Sequence, residues 1–284
     1  MTLTPPASAV EPRVALVTGA NTGIGLVTAR ELARQQMQVF VACRSPERAR
    51  ATADALRAAT GNPRVEALTL DLADFASVRQ CAADFLGRGL PLHLLVNNAG
   101  LAGSRGFTAS GFELAFGVNH MGHFLLTQLL LERLRSSAPA RIVTVASRAH
   151  TRTDHVDWEA LRRPTRTRTG IQEYAVSKLA NVWFSAALGR RLAGSGVHTY
   201  ALHPGVVASD VWRSVPWPLR SLIKLRMIST EEGARTTLYC ATDPACAGET
   251  GLYYDKCRVR APSALGQDSR QALRLWELSE AWTA

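Results

Sequence analysis

The sequence predicts an α/β fold, a single-domain, doubly wound parallel sheet flanked by helices. Three observations predict it. Short runs such as Val14–Thr18 and Val39–Cys43 are apolar almost throughout instead of alternating, the pattern of strands buried on both faces. These runs alternate with amphipathic segments, which calls for parallel strands joined by right-handed crossovers. A glycine-rich turn separates the first apolar run from the first helical segment, and folds of this type hold ligands beyond the carboxyl ends of their strands.

The elements follow in order. Val14 to Thr18 is expected as the first strand and Ile24 to Gln35 as the first helix. Val39 to Cys43 is the second strand. Pro46 to Thr60 is helical, with Pro46 near the start, where its missing N–H costs no intrahelical bond. Val65 to Leu70 is the third strand, and Asp74 caps a helix that reaches about Leu86. Leu92 to Asn97 is the fourth strand. Phe112 to Arg135 reads as one long helix, Ile142 to Ala146 as the fifth strand and Gln172 to Ala193 as another long helix. Val197 to His203 and Gly251 to Tyr254 complete the strands. Two segments break the rhythm. Arg152 to Thr169 is rich in Arg and Thr and reads as a solvated loop. Val215 to Ile228 mixes Trp217, Leu222 and Leu225 with Arg220, Lys224 and Arg226. Residues 1–12 are expected to form an N-terminal extension. Residues 13–284 form the domain, with a substrate lid at 209–230.

Composition narrows the classes. The 284 residues are 46% hydrophobic and 20% charged, enough for a sizeable core. The formal charge of +10 suits a phosphate-bearing cofactor, an acidic membrane surface or nucleic acid. No zinc-finger spacing or RNA-binding aromatic pattern accompanies it, so nucleic acid is set aside. Cys43, Cys81, Cys240, Cys246 and Cys257 form no C-x-x-C pair and are odd in number, which suits reduced thiols in a cytoplasmic protein. Met1 to Val10 carries no basic, then apolar, leader pattern. No run approaches the roughly 18 apolar residues of a membrane span.

The turn reads Thr18-Gly19-Ala20-Asn21-Thr22-Gly23-Ile24-Gly25. Glycine lets backbone approach a pyrophosphate, and the following helix N-terminus favours its negative charge. At the end of the second strand an acidic residue would hold a ribose diol, whereas Arg accommodates a 2′-phosphate. Here the strand ends Val41-Ala42-Cys43-Arg44, which favours NADP(H), with Arg48 as a second candidate. Farther on, Tyr174 and Lys178 stand four apart on a helix and share a face. A free tyrosine titrates near ~10, too high for a base at neutral pH, and a neighbouring ammonium favours the phenolate.

Gly19/Gly23/Gly25, Asn97-Asn98-Ala99-Gly100, Asn119, Ser147, Tyr174/Lys178 and Pro204-Gly205 occur in one order along the chain. Together they resemble the short-chain dehydrogenase/reductase family, and Val118 to Phe124, Ser177 to Val182 and His203 to Val207 resemble its retinol dehydrogenase-like members. The resemblance implies a Rossmann-type fold and four catalytic residues. Tyr174 is the proton donor and acceptor. Ser147 hydrogen-bonds the substrate oxygen. Lys178 lowers the Tyr174 pKa and contacts the nicotinamide ribose, and Asn119 supports a proton path. It implies cofactor contacts from Gly19, Asn21, Thr22, Gly23, Ile24, Gly25 and Arg44. Asp71 and Leu72 would border the adenine, and Asn98, Ala99 and Gly100 would line the ribose side. Pro204, Gly205, Val206, Val207 and Ser209 would approach the nicotinamide. A hydrophobic alcohol, aldehyde or ketone, retinoid-like or lipid-derived, is the expected substrate. A homo-oligomer also follows. The segment Val215 to Ile228 reads equally as a substrate lid or as an amphipathic packing helix, and its basic residues suit peripheral contact with a membrane surface. The N-terminal hydrophobic anchor of many such relatives has no counterpart in this sequence, and Ala146 stands where close relatives often have a second serine.

His120 and His123 are three apart but have no third ligand near in sequence, so no metal site is expected. His150 and His155 likewise lack a ligand set. No G-x-S-x-G elbow supports Ser147 as a hydrolase nucleophile. Trp183 and Phe184 read as packing residues. Two functional classes stand open, an active oxidoreductase and a non-catalytic NADP-sensing or scaffold protein of the same fold. The complete Asn119/Ser147/Tyr174/Lys178 set favours the first.

Overall fold

A computed structural model describes residues 12–206 and 228–284. Val207, Ser209 and the expected lid up to residue 227 lie outside the described residues. The chain runs β1 (Val14–Thr18), α1 (Gly23–Arg34), β2 (Gln38–Cys43), α2 (Pro46–Thr60), β3 (Val65–Thr69) and α3 (Phe75–Leu86). It continues with β4 (Leu94–Asn97), α4 (Gly122–Ser136), β5 (Ala140–Val145), α5 (Ile171–Arg191) and β6 (Val197–His203). Then come α6 (Thr230–Thr242), β7 (Leu252–Asp255), β8 (Arg258–Val259) and α7 (Ser269–Thr283).

These strands form one sheet in the order β3-β2-β1-β4-β5-β6-β7-β8. It is parallel except for the last pair, β7 and β8. The order reverses between β1 and β4, so their carboxyl ends open a crevice. Both faces of the sheet are buried. Leu16, Phe40, Leu95 and Ile142 pack with Phe85, Leu130 and Leu188 from α3, α4 and α5. Val17, Val41, Val96 and Val143 pack on the other side with Leu32, Leu56 and Cys240 from α1, α2 and α6. Burying one such large apolar side chain contributes about 1.5–3 kcal/mol, and this two-sided burial is why the strands show no polar alternation.

Three features depart from the sequence expectation. The long helix expected over Phe112–Arg135 is interrupted. A short turn, Leu114–Phe116, runs into a wide π turn at Gly117–Met121, where the Gly122 N–H reaches Gly117 O. Glycines fit both ends. A Cβ on Gly117 would stand 2.5 Å from Thr108 Cγ2, and one on Gly122 2.5 Å from the Leu72 carbonyl. The Arg152–Thr169 segment is not simply solvated. Leu161 and Thr165 are buried, the Thr165 hydroxyl donates to the buried Glu113 carboxylate, and the Glu113 N–H donates to Leu161 O at 2.9 Å. Burial raises the Glu113 pKa despite that bond. Finally, α7 lies over α5 and α4. Trp276 stacks on Phe184 at 6.0 Å and meets Phe124 edge-on at 5.2 Å. Trp183 and Phe184 are thus packing residues, with the Trp183 indole donating to Leu265 O at 2.8 Å.

Candidate active site

A cleft of about 910 Å³ runs along the carboxyl ends of β1, β2, β4, β5 and β6, from Arg44 and Arg48 at one end to Ser147, Tyr174 and Val206 at the other. The glycine turn forms its floor. Gly19 has φ of 65° and donates its N–H to Ala42 O at 2.8 Å. A Cβ there would lie 2.9 Å from Ala99 Cα, and one on Gly25 would collide with the Asn98 side chain and the Gly19 carbonyl. The glycines therefore let the turn close on its own neighbouring loop as well as leaving room for a ligand. Asn21, Thr22, Gly23, Ile24 and Gly25 line the cleft, and α1 has no acidic residue in its first turn, so its N-terminal potential is not offset locally.

Arg44 and Arg48 flank the start of α2, where the Ser45 hydroxyl accepts the Arg48 N–H at 3.2 Å. No carboxylate stands at the end of β2. Asp71 and Leu72 line the same end. The Asp71 carboxylate accepts the Ala73 N–H and its own N–H donates to Ser77 Oγ, both at 2.9 Å. Asn98, Ala99 and Gly100 form the facing wall. Their placement depends on Thr18, the last residue of β1, whose Oγ1 receives the N–H groups of Asn98 at 2.9 Å and Ala99 at 3.0 Å. Pro204, Gly205 and Val206 close the far end.

The four expected catalytic residues converge there. Ser147 follows β5 and accepts the Ala149 N–H at 3.1 Å. Its hydroxyl lies on the Tyr174 side of the cleft and acts against a rise in the Tyr174 pKa. Tyr174 and Lys178 lie one turn apart on α5, and Lys178 Nζ stands 5.7 Å from the Tyr174 ring centroid. Nζ donates to the Val145 carbonyl at 2.7 Å, and the Asn181 amide donates to the same oxygen at 3.3 Å. Asn119, in the π turn, accepts Leu101 N–H at 2.9 Å and donates to Leu101 O at 3.0 Å and Ser177 Oγ at 2.9 Å. A Cβ on Gly100 would come within 3.2 Å of Asn119 Oδ1 and 3.4 Å of Lys178 Nζ, so glycine lets both approach the cleft.

Burial raises the Tyr174 pKa, and the Ser147 hydroxyl and the Arg152 guanidinium oppose that rise. Burial also pushes Lys178 down to about 7. The folded protein thus binds fewer protons than the unfolded chain between about pH 7 and the ordinary lysine value. That makes stability rise with pH across this window. Lys178→Met is expected to reduce the gain in Tm of the ligand-free protein between pH 7 and pH 9. An unchanged pH slope would contradict the buried, depressed lysine.

Several contributors were not assigned a role from sequence. Thr18 is one and Ser177 another. His150 donates from Nδ1 to Ser147 O at 2.7 Å and accepts the Ser263 N–H at Nε2, 3.1 Å away. It therefore tethers the Ser147 backbone to the segment before α7. The only sequence signal was its position three residues after Ser147. Among the described residues, no group of three His, Cys, Asp or Glu side chains is placed to hold a metal. No helix among them is long and apolar enough to cross a membrane.

The family model described as short chain dehydrogenase matches residues 13–157. The chain belongs to the short-chain dehydrogenase/reductase family. As a member it is an oxidoreductase. It is 43% identical over 270 residues to retinol dehydrogenase 11 of Mus musculus, covering 94% of this chain and 85% of that one. It is 45% identical over 274 residues to dehydrogenase/reductase SDR family member 13 of Homo sapiens, covering 94% and 72%. Among solved structures, an NADPH-bound carbonyl reductase from chicken fatty liver aligns with a TM-score of 0.66 at 26% identity, covering 89% of this chain and all of that one. The retinol dehydrogenase-like resemblance of this short-chain dehydrogenase/reductase is therefore spread over nearly its whole length, beyond the quoted motifs.

Proposed function

We propose that this short-chain dehydrogenase/reductase transfers hydride between NADP(H) and a hydrophobic alcohol or its aldehyde or ketone, retinoid-like or lipid-derived. The observation that carries the reading is the convergence of Ser147, Tyr174 and Lys178 at one end of a cleft whose other end holds Arg44. The residues fit a dinucleotide. The α1 N-terminus and glycine turn suit its pyrophosphate, Asp71 and Leu72 border the adenine, and Arg44 with Arg48 suits a 2′-phosphate. The chicken reductase's NADPH and the retinol dehydrogenase likeness support the cofactor and substrate class.

The cofactor, when bound, supplies the hydride. The chain positions and moves the proton. Tyr174 holds it at its phenolic oxygen for the nascent alkoxide, and Ser147 donates to the same substrate oxygen. Aligning the carbonyl between these hydroxyls and the hydride is the protein's main contribution. Lys178 holds the ribose side, and Asn119 supports the return of the proton. Val207 and Ser209, outside the described residues, would complete the nicotinamide contacts, and 209–230 would cover the apolar part of the substrate. The same reading places the protein in the cytoplasm as a homo-oligomer with peripheral membrane contact through the basic lid.

The test is a panel of short and long, polar and apolar aldehydes, ketones and alcohols, followed by NADPH absorbance. Turnover of long apolar carbonyls with NADPH is expected. NADPH binding without turnover of any substrate would favour an NADP-sensing or scaffold role.

A further inference from the structure

Behind the cleft, a buried histidine contacts two of its working parts and has so far been given no role. His123 lies on α4 one turn after Asn119 and is 1% exposed. Its Nδ1 stands 3.0 Å from the Asn119 carbonyl oxygen. A carbonyl only accepts, so Nδ1 carries the proton. Burial, with a smaller push from the Lys178 charge, holds the ring's pKa down at about 4, although the bond to Asn119 acts upward. The ring is therefore neutral near pH 7, and Nε2 is an acceptor. Nε2 lies 2.8 Å from Thr18 Oγ1, so the Thr18 hydroxyl donates its proton there. Its oxygen lone pairs already receive Asn98 and Ala99 N–H.

The ring thus has two arms on two machines. One reaches the end of β1, where the glycine turn begins and where the Asn98–Ala99 wall is fixed. The other reaches the π turn that carries Asn119. In that turn the hydrogen bonds step by five residues, which leaves the regular ladder and calls for local fixing.

We propose that His123 is a positioning residue that ties the cofactor-binding turn to the catalytic asparagine, with Nε2 holding Thr18 and Nδ1 holding Asn119. The catalytic half of this inference rests on the oxidoreductase reading. The binding half does not.

Two near-isosteres separate the arms. In His123→Gln the side-chain oxygen reaches Thr18 but offers nothing to Asn119. In His123→Asn the amide reaches the Asn119 carbonyl but falls short of Thr18. NADPH Kd by fluorescence titration, kcat at saturating NADPH and Tm are measured on the full chain. His123→Gln is expected to lower kcat by about fivefold to tenfold, the scale of one lost hydrogen bond, and to move Kd less. His123→Asn is expected to raise Kd by about the same factor and to move kcat less. His123→Leu, which keeps the volume and leaves Thr18 to donate to Val96 O at 3.3 Å, should show both losses. Equal shifts of Kd and kcat in Gln and Asn variants, tracking Tm alone, would overturn the proposal, as would no shift in either. If the wild type turns over no carbonyl, the function reading fails. The Asn-against-Gln contrast in Kd then decides the positioning role by itself.

Discussion

Tyr174→Phe is expected to lower kcat by about 10²- to 10⁴-fold, the range for losing a positioned general acid–base, with NADPH Kd nearly unchanged. The substitution removes one oxygen and leaves the ring, so α5 keeps its packing. Ser147 keeps its bond to the Ala149 N–H and stays in place, but no neighbouring group can deliver a proton to the substrate oxygen. The buried Lys178, one turn along α5, is turned toward the Val145 carbonyl. Because burial raises the Tyr174 pKa, the hydroxyl stays protonated through neutral pH in the ligand-free enzyme. Carbonyl reduction, which consumes that proton, should therefore hold its rate to higher pH than alcohol oxidation holds its rate on acidification. Steady-state rates in both directions, paired with a fluorescence titration of NADPH, check the expectation. Undiminished turnover would remove Tyr174 from the mechanism.

Arg44→Ala is expected to weaken NADPH binding by about 10- to 100-fold, the worth of one or two charge-assisted hydrogen bonds, while NADH binding changes little. The position tolerates truncation. The following residue, Ser45, caps α2 independently, so the loop that carries Arg44 keeps its shape. Arg48 lines the same end and should cushion the loss, so the double variant should approach equal affinity for the two cofactors. Dissociation constants for NADPH and NADH on the single and double variants decide it. A parallel loss for both cofactors would mean that Arg44 serves the pyrophosphate or the fold instead of the 2′-phosphate.

Much of this was legible in the sequence for identifiable reasons. Strands such as Val39–Cys43 betray themselves because both faces of the sheet are covered, and a run that meets no water has no reason to alternate. Tyr174 and Lys178 were readable as a pair because an unbroken helix keeps residues four apart on one face. The π turn was not readable. Gly117 and Gly122 look like ordinary weak helix positions, and the need for them comes from Thr108 and Leu72, which meet them only through the fold. The order in Arg152–Thr169 was hidden likewise, since its anchor is Glu113, some fifty residues earlier. The helix Thr230–Thr242 did carry a signal. Ser229 accepts the Glu232 N–H at 3.1 Å, and Ser followed three residues later by Glu is a helix-start pattern. The influence of Arg152 on Tyr174 and the depressed lysine depend on burial, which spacing does not encode.

The carbonyl of Val145 receives both Lys178 Nζ and the Asn181 amide. It is a main-chain atom at the last residue of β5, so no change of side chain at position 145 deletes it. An alanine scan of the cleft would report at position 145 only the packing lost with the buried side chain and would pass over this anchor. Only replacing the peptide unit by an ester, or altering its second donor, Asn181, would reveal how much of the lysine's aim is set by the sheet's own backbone.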